Sequence, residues 1–249
     1  MMISRMTRNQ WFHQIIGRLW LSVIAITVVW SNVIAQEPEA ADGIEFSEAE
    51  TRLWLTDQLK SVSHAMELTY HFEKSGSLET GFSDRVRFVI QKINDDGTKV
   101  ASVEFLTGER NFPVSPVDSA TVNPVIKVYL QGDVYEMNRL TDSDGGSRER
   151  WRYFQRRIKF ALAESATVTL MTFTFDGREW QGFEISFRPY INDPKRELFE
   201  RFANKSYSFI VCDELPGYLY RIETEVPAED SPQPLLREVL QLTGIRPLG

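Results

Sequence analysis

Residues 123–163, NPVIKVYLQGDVYEMNRLTDSDGGSRERWRYFQRRIKFALA, are the one long segment of this 249-residue chain that does not consist of alternating, strand-like runs. Asn123 followed by Pro124 is a typical helix start, because asparagine caps free backbone N–H groups and proline fits the first helical turn. The run VIKVYL that follows has the β-branched composition of a strand, and a hairpin turning near Gly132 is the alternative. The cap signal leads us to favour a helix over residues 123–141.

The second half of this segment predicts an amphipathic helix with two distinct faces. At 100° per residue its large apolar side chains fall on one side, and four basic side chains fall together on another. Such a basic face either docks an anionic partner, such as a lipid headgroup, a phosphorylated polysaccharide or an acidic protein, or is an ordinary solvated surface. The apolar face comprises Trp151, Phe154, Ile158, Ala161 and Leu162, and the basic face comprises Arg148, Arg152, Arg156 and Lys159.

Alternating runs on both sides of the segment predict about eight strands. Residues 66–72 (MELTYHF), for example, place apolar side chains at every second position. Turn signals at residues 95–97 (DDG) and 176–177 (DG) separate neighbouring runs, which is the pattern of β-hairpins. Successive hairpins build an antiparallel sheet, and such a sheet buries one face under helices. We therefore predict an α+β fold, a curved antiparallel β-sheet with helices packed on its concave face.

Two short helices are predicted outside the central segment. Ser47 and Glu50 have the spacing of a capping box, and the apolar pattern that follows extends this helix to about Val62. Asp193 followed by Pro194 predicts the start of a second one.

The N-terminus predicts export. Residues 1–35 contain three arginines and no acidic residue, followed by a long apolar run and small residues before a cut after Ala35, as in a secretory signal peptide. An uncleaved N-terminal membrane anchor is the alternative, because the apolar run is only just short of a bilayer span. After cleavage we expect a periplasmic protein without a stable membrane span, with a flexible lead-in over residues 36–45 and a single domain over residues 46–249.

Charge and cysteine content exclude several classes of function. The net charge is −7, and it becomes −10 without the three leader arginines. So acidic a chain repels nucleic acid, and we predict no nucleic-acid partner. Cys212 is the only cysteine, so no intrachain disulfide forms. It lies in an alternating run without an activating base nearby, which predicts a half-buried strand thiol rather than a catalytic one.

No motif identifies an active site or a metal site. There is no G-x-S-x-G, and only two histidines follow the leader. The spacing of His64, Glu67 and His71 brings ligands together only on a helix, whereas this stretch is strand-like. Residues 142–145 (DSDG) begin like a calcium loop but lack its third ligand and closing glutamate. We predict no cofactor, no metal and no enzymatic activity; a hydrolase with paired carboxylates is the least favoured hypothesis.

Residues 207–220 (YSFIVCDELPGYLY), together with the preceding hairpins and the leader, resemble the periplasmic half-barrel proteins, of which the LolA/LolB lipoprotein carriers are the best known. The resemblance covers the strand order of most of the mature chain. It implies an open barrel with an apolar cavity closed by helices, and it transfers no functional residue. The long central helical segment and the acidic charge differ from the carriers, so lipoprotein transport is not implied.

Two functions follow as hypotheses. The first is a non-enzymatic envelope protein that binds or carries an apolar or lipid-like ligand. It predicts a cavity lined by Phe, Tyr and Met under a loosely held helix, and a solid core counts against it. The alternative is a structural or protein-interaction module of the cell envelope that uses the basic face as its contact surface.

Overall fold

One antiparallel sheet organises the structure. The computed structural model describes residues 45–141 and 147–249, and in these ranges nine strands pair side by side. In chain order they are β1 (Met66–Ser75), β2 (Phe82–Ile93), β3 (Lys99–Phe105), β4 (Val117–Ala120), β5 (Thr167–Phe175), β6 (Arg178–Phe187), β7 (Ser206–Val211), β8 (Leu219–Val226) and β9 (Leu236–Pro247). The strand order is β4-β3-β2-β1-β9-β8-β7-β6-β5, so β1 and β9 pair in the interior of the sheet and β4 and β5 form its edges.

The helices precede and interrupt the strands. They are α1 (Glu48–Glu50) with a π-helical turn (Thr51–Leu55), α2 (Pro124–Leu140), α3 (Arg148–Glu164), and two 3-10 helices (Gly108–Arg110 and Arg196–Asn204). None of these described helices is both long enough and apolar enough to cross a bilayer. The predicted leader over residues 1–35, nearly all of the lead-in over 36–45 and the segment 142–145 lie outside the described residues.

Residues 124–140 form helix α2, as the cap signal predicted, and not a hairpin. The Asn123 side-chain oxygen accepts a hydrogen bond from the Val125 N–H over 3.0 Å, and Pro124 occupies the first turn. The β-branched residues adopt a helix because burial against the sheet outweighs their preference for strands. The buried apolar residues of α2 are Val125, Ile126, Val128, Tyr129, Leu130, Val134 and Met137.

Helix α3 has the predicted apolar face. Its N-cap is Ser147, whose hydroxyl accepts a hydrogen bond from the Arg150 N–H over 3.2 Å. The face packs against the core and α2, although Trp151 at its beginning is only half-buried. The buried residues of α3 are Phe154, Ile158, Ala161 and Leu162.

The first helix begins as predicted but is shorter. Ser47 and Glu50 form the capping box, with hydrogen bonds of 3.1 and 3.0 Å. The predicted extension to Val62 is wrong, because helical structure ends at Leu55. Tertiary hydrogen bonds hold the chain beyond that point: the backbone N–H of Gln58 donates to a carbonyl near α2, and its side-chain amide donates to two carbonyls of the preceding turn. The apolar periodicity alone contains no sign of these contacts.

Two further differences concern short elements. The strand missing from the prediction is β4, which has four residues, follows Pro116 and shows no apolar alternation. The short helix expected after Asp193 is a 3-10 helix over Arg196–Asn204, interrupted at Glu200, where φ is 47°. Phe199 within it is buried, as expected.

Bulges curve the sheet around the helices. Register shifts follow Thr69 in β1, Ile90 in β2 and Ile210 in β7. A bulge bends its strand and increases the local twist, so a sheet with several of them curls. Helices α2 and α3 pack on the concave face, and side chains from both layers form one core. This is the predicted α+β architecture, a half-barrel-like antiparallel sheet with helices in its concave face.

Candidate functional site

The basic face of α3 is open to solvent. Arg148, Arg152, Arg156 and Lys159 are all exposed, and none forms an ion pair with a residue in the described ranges. Within the described ranges, Arg156 places its guanidinium carbon 5.8 Å from the ring centre of Tyr153. Four cations therefore line one side of a helix on an acidic protein, without internal neutralisation by described carboxylates.

The remaining two arginines of α3 serve the protein itself. Arg150 donates a hydrogen bond to the backbone carbonyl of Leu198. Arg157 places its Nε atom 2.5 Å from a carboxylate oxygen of Asp193, a residue that is buried. The basic residues of α3 thus divide into an inward set with structural partners and the outward basic face.

Helix α2 turns a polar stripe towards the sheet. Tyr129, Asp133 and Glu136 are spaced i, i+4 and i+7, so they share one side of the helix. Tyr129 and Asp133 are buried, and Glu136 is half-buried. The Tyr129 hydroxyl lies 3.1 Å from the hydroxyl of Thr224 on β8. The contact between α2 and the concave face is therefore partly polar.

Asp133 is the centre of the polar stripe. Its carboxylate forms an ion pair with Lys205, which directly precedes β7, and accepts a hydrogen bond of 2.7 Å from the Tyr207 hydroxyl. The hydroxyls of Tyr207 and Tyr190 lie 3.3 Å apart, and all four side chains are buried. Burial raises the pKa of both tyrosines well above the usual value, and the charge of Asp133 adds to this shift. Both phenols therefore stay protonated and can donate at neutral pH.

A second group of charges lies along the same stripe. Tyr129 donates to the carboxylate of Glu238 on β9 over 3.3 Å. Lys74 on β1 places its ammonium group 2.8 Å from Glu79 and 3.5 Å from Glu136. The same ammonium lies 3.7 Å from Glu238. The stripe on α2 thus meets charged side chains from both central strands, β1 and β9.

Burial and neighbouring charges shift the pKa values of Glu238 and Lys74. Burial raises the pKa of the Glu238 carboxyl above the usual range, because the neighbouring cations Lys205 and Lys74 compensate only part of the lost hydration. Burial alone would lower the pKa of Lys74, but the surrounding carboxylates, Glu238 first among them, raise it overall. As the pH falls, the Glu238 carboxyl therefore takes up its proton earlier than a glutamate in water does.

The concave face of the sheet is filled by side chains. Tyr70, Phe88, Phe154, Phe199 and Phe209 have 0% of their surface exposed, so no water-sized space adjoins them. The rings of Phe154 on α3 and Phe199 have centres 4.6 Å apart, a packed aromatic pair. These aromatic residues form a core where the carrier hypothesis expected a cavity. A ligand reaches these five side chains only if the residues packed against them move away.

An open groove of about 810 Å³ is lined by residues from the C-terminal end of α3 and from β6, β7 and β8. Polar side chains dominate its lining, and four of them are glutamates, Glu164, Glu184, Glu223 and Glu225. Such a groove suits a polar or cationic group rather than an acyl chain.

The residues of the superficial metal pattern are separated. Glu67 on β1 is bound by Arg87 over 2.5 Å, and the hydrogen bond from Arg87 lowers the pKa of this carboxyl. His71 is exposed on β1, and His64 precedes that strand. In residues 45–141 and 147–249 no three metal-ligating side chains come together.

Cys212 is more buried than predicted. It has 1% of its surface exposed and lies one residue beyond the end of β7. Burial raises the pKa of its thiol, which keeps it protonated.

Sequence reasoning missed the polar stripe. The helical spacing of Tyr129, Asp133 and Glu136 is visible in the sequence, and a carboxylate between apolar residues is a signal that could have been used. Its partner could not be found in this way, because Lys205 is 72 residues away and belongs to no local pattern. Only the folded sheet brings the two together.

No protein family model matches this sequence, and no curated protein matches it. Several solved structures do. Lipoprotein LppX from Mycobacterium tuberculosis matches with 9% identity over 78% of this chain and 93% of its own, at a TM-score of 0.32. The LolA superfamily protein NE2245 from Nitrosomonas europaea matches with 8% identity over 81% of this chain and 94% of its own, at a TM-score of 0.23. LprF from Mycobacterium bovis matches with 12% identity over 81% of this chain and 95% of its own, at a TM-score of 0.31. LolA-like proteins, to which the sequence was expected to be similar, are among these structures, and likeness at this level transfers neither a ligand nor a functional residue to this chain.

Proposed function

We propose that this chain is an exported, non-enzymatic protein of the cell envelope that binds an amphipathic, lipid-like ligand, with α2 as a movable cover of the concave face. The observation that supports it is the polar stripe of Tyr129, Asp133 and Glu136 beneath α2. In this proposal the packed arrangement is the closed, ligand-free state.

The polar stripe lowers the free energy needed to lift α2 from the sheet. Lifting an entirely apolar helix from a core exposes its buried area at about 25 cal/mol per Å². Part of the contact surface of α2 consists instead of groups that water solvates well. The ion pair of Asp133 and Lys205 regains hydration when it opens, and this gain offsets much of the lost attraction. Helix α2 therefore leaves the sheet at a lower cost than an apolar helix of equal length.

Opening would create the apolar site. The buried core side chains of the strands include Tyr70, Phe88 and Phe209, a surface suited to an acyl chain. An acidic headgroup would find cations on the basic face of α3, the helix that packs beside α2. The combination points to a lipid-like ligand with an anionic head.

The first test is mass spectrometry of the protein isolated from the periplasm without detergent, both intact and after solvent extraction. We expect a lipid in stoichiometric amount. A ligand-free mass, together with no binding of a fluorescent anionic phospholipid from vesicles, would refute the proposal. The intact mass also shows whether the chain begins at Gln36, as cleavage after Ala35 predicts, or keeps an N-terminal anchor.

A second test concerns the cover. The double variant D133L/K205M replaces the buried pair by apolar side chains, which removes the hydration gained on opening. We expect the fluorescent phospholipid to enter more slowly while the circular dichroism spectrum is unchanged. The matched control is K60M/D213L, which removes an exposed ion pair of 2.8 Å away from α2. Equal uptake rates in all three proteins would mean that α2 does not open.

The alternative is an interaction module that contacts an acidic envelope partner through the basic face. Arg148, Arg152, Arg156 and Lys159 are exposed and form no ion pair with residues 45–141 or 147–249, which supports this alternative. Reversing these four charges to glutamate should abolish capture of the partner from envelope extracts and leave the fold intact. The control reverses two acidic residues on another exposed surface, Asp95 and Asp96. Unchanged capture by the basic-face variant would exclude this alternative.

A further inference from the structure

The two edges of the sheet are built differently. The edge strand β4 has four residues, carries Asp118 and follows Pro116, which are features that prevent pairing with another chain. The opposite edge strand, β5, has nine residues, TVTLMTFTF, without a charge, a proline or a glycine. Within the described ranges, β5 forms backbone hydrogen bonds only with β6. One edge is thus protected and the other is open.

The hairpin between β5 and β6 shows which peptide groups are free. Phe175 pairs with Arg178 across Asp176 and Gly177, whose φ angles of 52° and 69° are those of a two-residue hairpin turn. The residue pair that closes such a turn is hydrogen-bonded, and hydrogen-bonded pairs then alternate with non-hydrogen-bonded pairs along the two strands. The even-numbered residues of β5 therefore direct their N–H and C=O groups away from β6. These residues are Val168, Leu170, Thr172 and Thr174; among their backbone groups in the described ranges, the Thr174 carbonyl already accepts a hydrogen bond of 3.2 Å from the Tyr220 hydroxyl.

The sequence of β5 is complementary to itself. When two copies of β5 are placed antiparallel with Met171 opposite Met171, Leu170 pairs with Thr172 and Val168 pairs with Thr174. The outer pairs are Thr169 with Phe173 and Thr167 with Phe175. Every threonine therefore faces an apolar or aromatic side chain, which is a favourable cross-strand pair, and no charge faces a like charge. In this register the hydrogen-bonded pairs between the two copies are formed by the even-numbered residues, whose N–H and C=O groups point away from β6.

We propose that β5 pairs with β5 of a second copy of this chain, antiparallel about a two-fold axis at Met171, so that two sheets join into one. Charge supports a second copy at this place: two chains of net charge −7 repel each other over most of their surface, and β5 is an uncharged strip along which they can meet. A two-fold contact of one surface with itself is also the commonest way in which soluble proteins form dimers.

Side-chain exposure agrees with this interface. Leu170 has 65% of its surface exposed, the largest value among the exposed large hydrophobic residues of the described chain. In the paired strands it lies diagonally opposite its own copy, at a distance where long side chains touch. Helix α1 lies close to β5, and the π-helical turn that follows it places Arg52 3.3 Å above the ring of Phe183 on β6.

Sedimentation of the purified protein over a range of concentrations tests the dimer. We expect a dimer in the wild type, and a dissociation constant roughly a hundredfold higher in L170K/T172K, because like charges then face each other across the axis. The control V117K places a charge on an exposed residue of the opposite edge and should leave the dimer intact. A wild type that is monomeric at all concentrations, or a dimer that survives L170K/T172K, overturns the proposal.

A cross-link tests the register. Met171 faces its own copy across the axis, where the Cα atoms of such a pair are about 4.5 Å apart. The variant M171C should form a disulfide-linked dimer under mild oxidation. The wild type should not, because its single cysteine, Cys212, is buried, and V117C on the other edge should not either. Absence of the cross-link in folded M171C overturns the pairing about Met171.

Discussion

Lys205 and Asp133 form an ion pair in the interior of the protein, with 2% and 1% of their side chains exposed. The pair joins the middle of α2 to the residue before β7. Removing two charges from water costs about as much as their attraction returns, so such a pair adds little net stability. We expect its main effect to be on which side of α2 faces the sheet.

The first prediction concerns this pair. Asp133→Leu alone leaves the Lys205 ammonium buried without its main partner and should cost about 3–5 kcal/mol of unfolding free energy. The double variant D133L/K205M should be neutral or more stable by about 1–4 kcal/mol, since neither charge of the pair then has to be desolvated. Urea unfolding measures both values. As a control, loss of the exposed pair in K60M/D213L should change stability by no more than about 1 kcal/mol. A double variant as unstable as the single one would contradict this account.

The second prediction separates backbone strain from crowding. Gly97 and Gly217 both have a positive φ, 85° and 78°, so alanine is strained at either position by about 1–2 kcal/mol. A Cβ atom at Gly97 meets nothing within 4 Å, whereas at Gly217 it lies 2.4 Å from a methyl carbon of Leu68. We expect G217A to cost about 1–3 kcal/mol more than G97A in urea unfolding, from overpacking. Equal losses would mean that Leu68 moves aside freely.

The third prediction compares two helix caps. Asn123 caps α2 and also donates its side-chain N–H to the carbonyl of Gly217 over 2.7 Å, in the buried core. Ser147 caps α3 at the surface. Replacing the surface cap by alanine should cost about 1 kcal/mol. Asn123→Ala should cost about 1–3 kcal/mol more, because two buried hydrogen bonds, to the Gly217 carbonyl and to the Tyr70 hydroxyl, are lost as well. Thermal unfolding of both variants measures the two losses of stability. Equal losses would mean that Asn123 stabilises the protein only as a helix cap.

The fourth prediction follows from the raised pKa of Glu238. A carboxyl whose pKa is higher in the folded than in the unfolded state binds its proton first in the folded state. Its protonation therefore favours folding, and this gain appears as the pH falls from neutrality towards its ordinary pKa of 4.5. Glu238→Gln has no proton to bind. We expect the stability of the wild type to rise relative to E238Q over this pH range, measured by urea unfolding at each pH. A relative decrease would contradict the raised pKa.

Local signals in the sequence determined the elements and their class. The alternation of residues 66–72, the Asp-Gly turn at 176–177 and the cap at Asn123 act over a few neighbouring residues, so they could be interpreted without the fold. The same holds for the basic face of α3, because helical spacing alone places Arg148, Arg152, Arg156 and Lys159 together. What that face contacts is still a prediction.

Tertiary structure decided what depends on distant residues. The first helix ends at Leu55 because Gln58 bonds to the chain before α2, and the short strand β4 exists because β3 offers it an edge. The polar stripe beneath α2 became visible only when Lys205 met Asp133 across 72 residues. Whether the aromatic side chains line a cavity or fill a core depends on how closely the helices approach the curled sheet. No periodicity in the sequence records that distance, because it is set by the packing of all the side chains together.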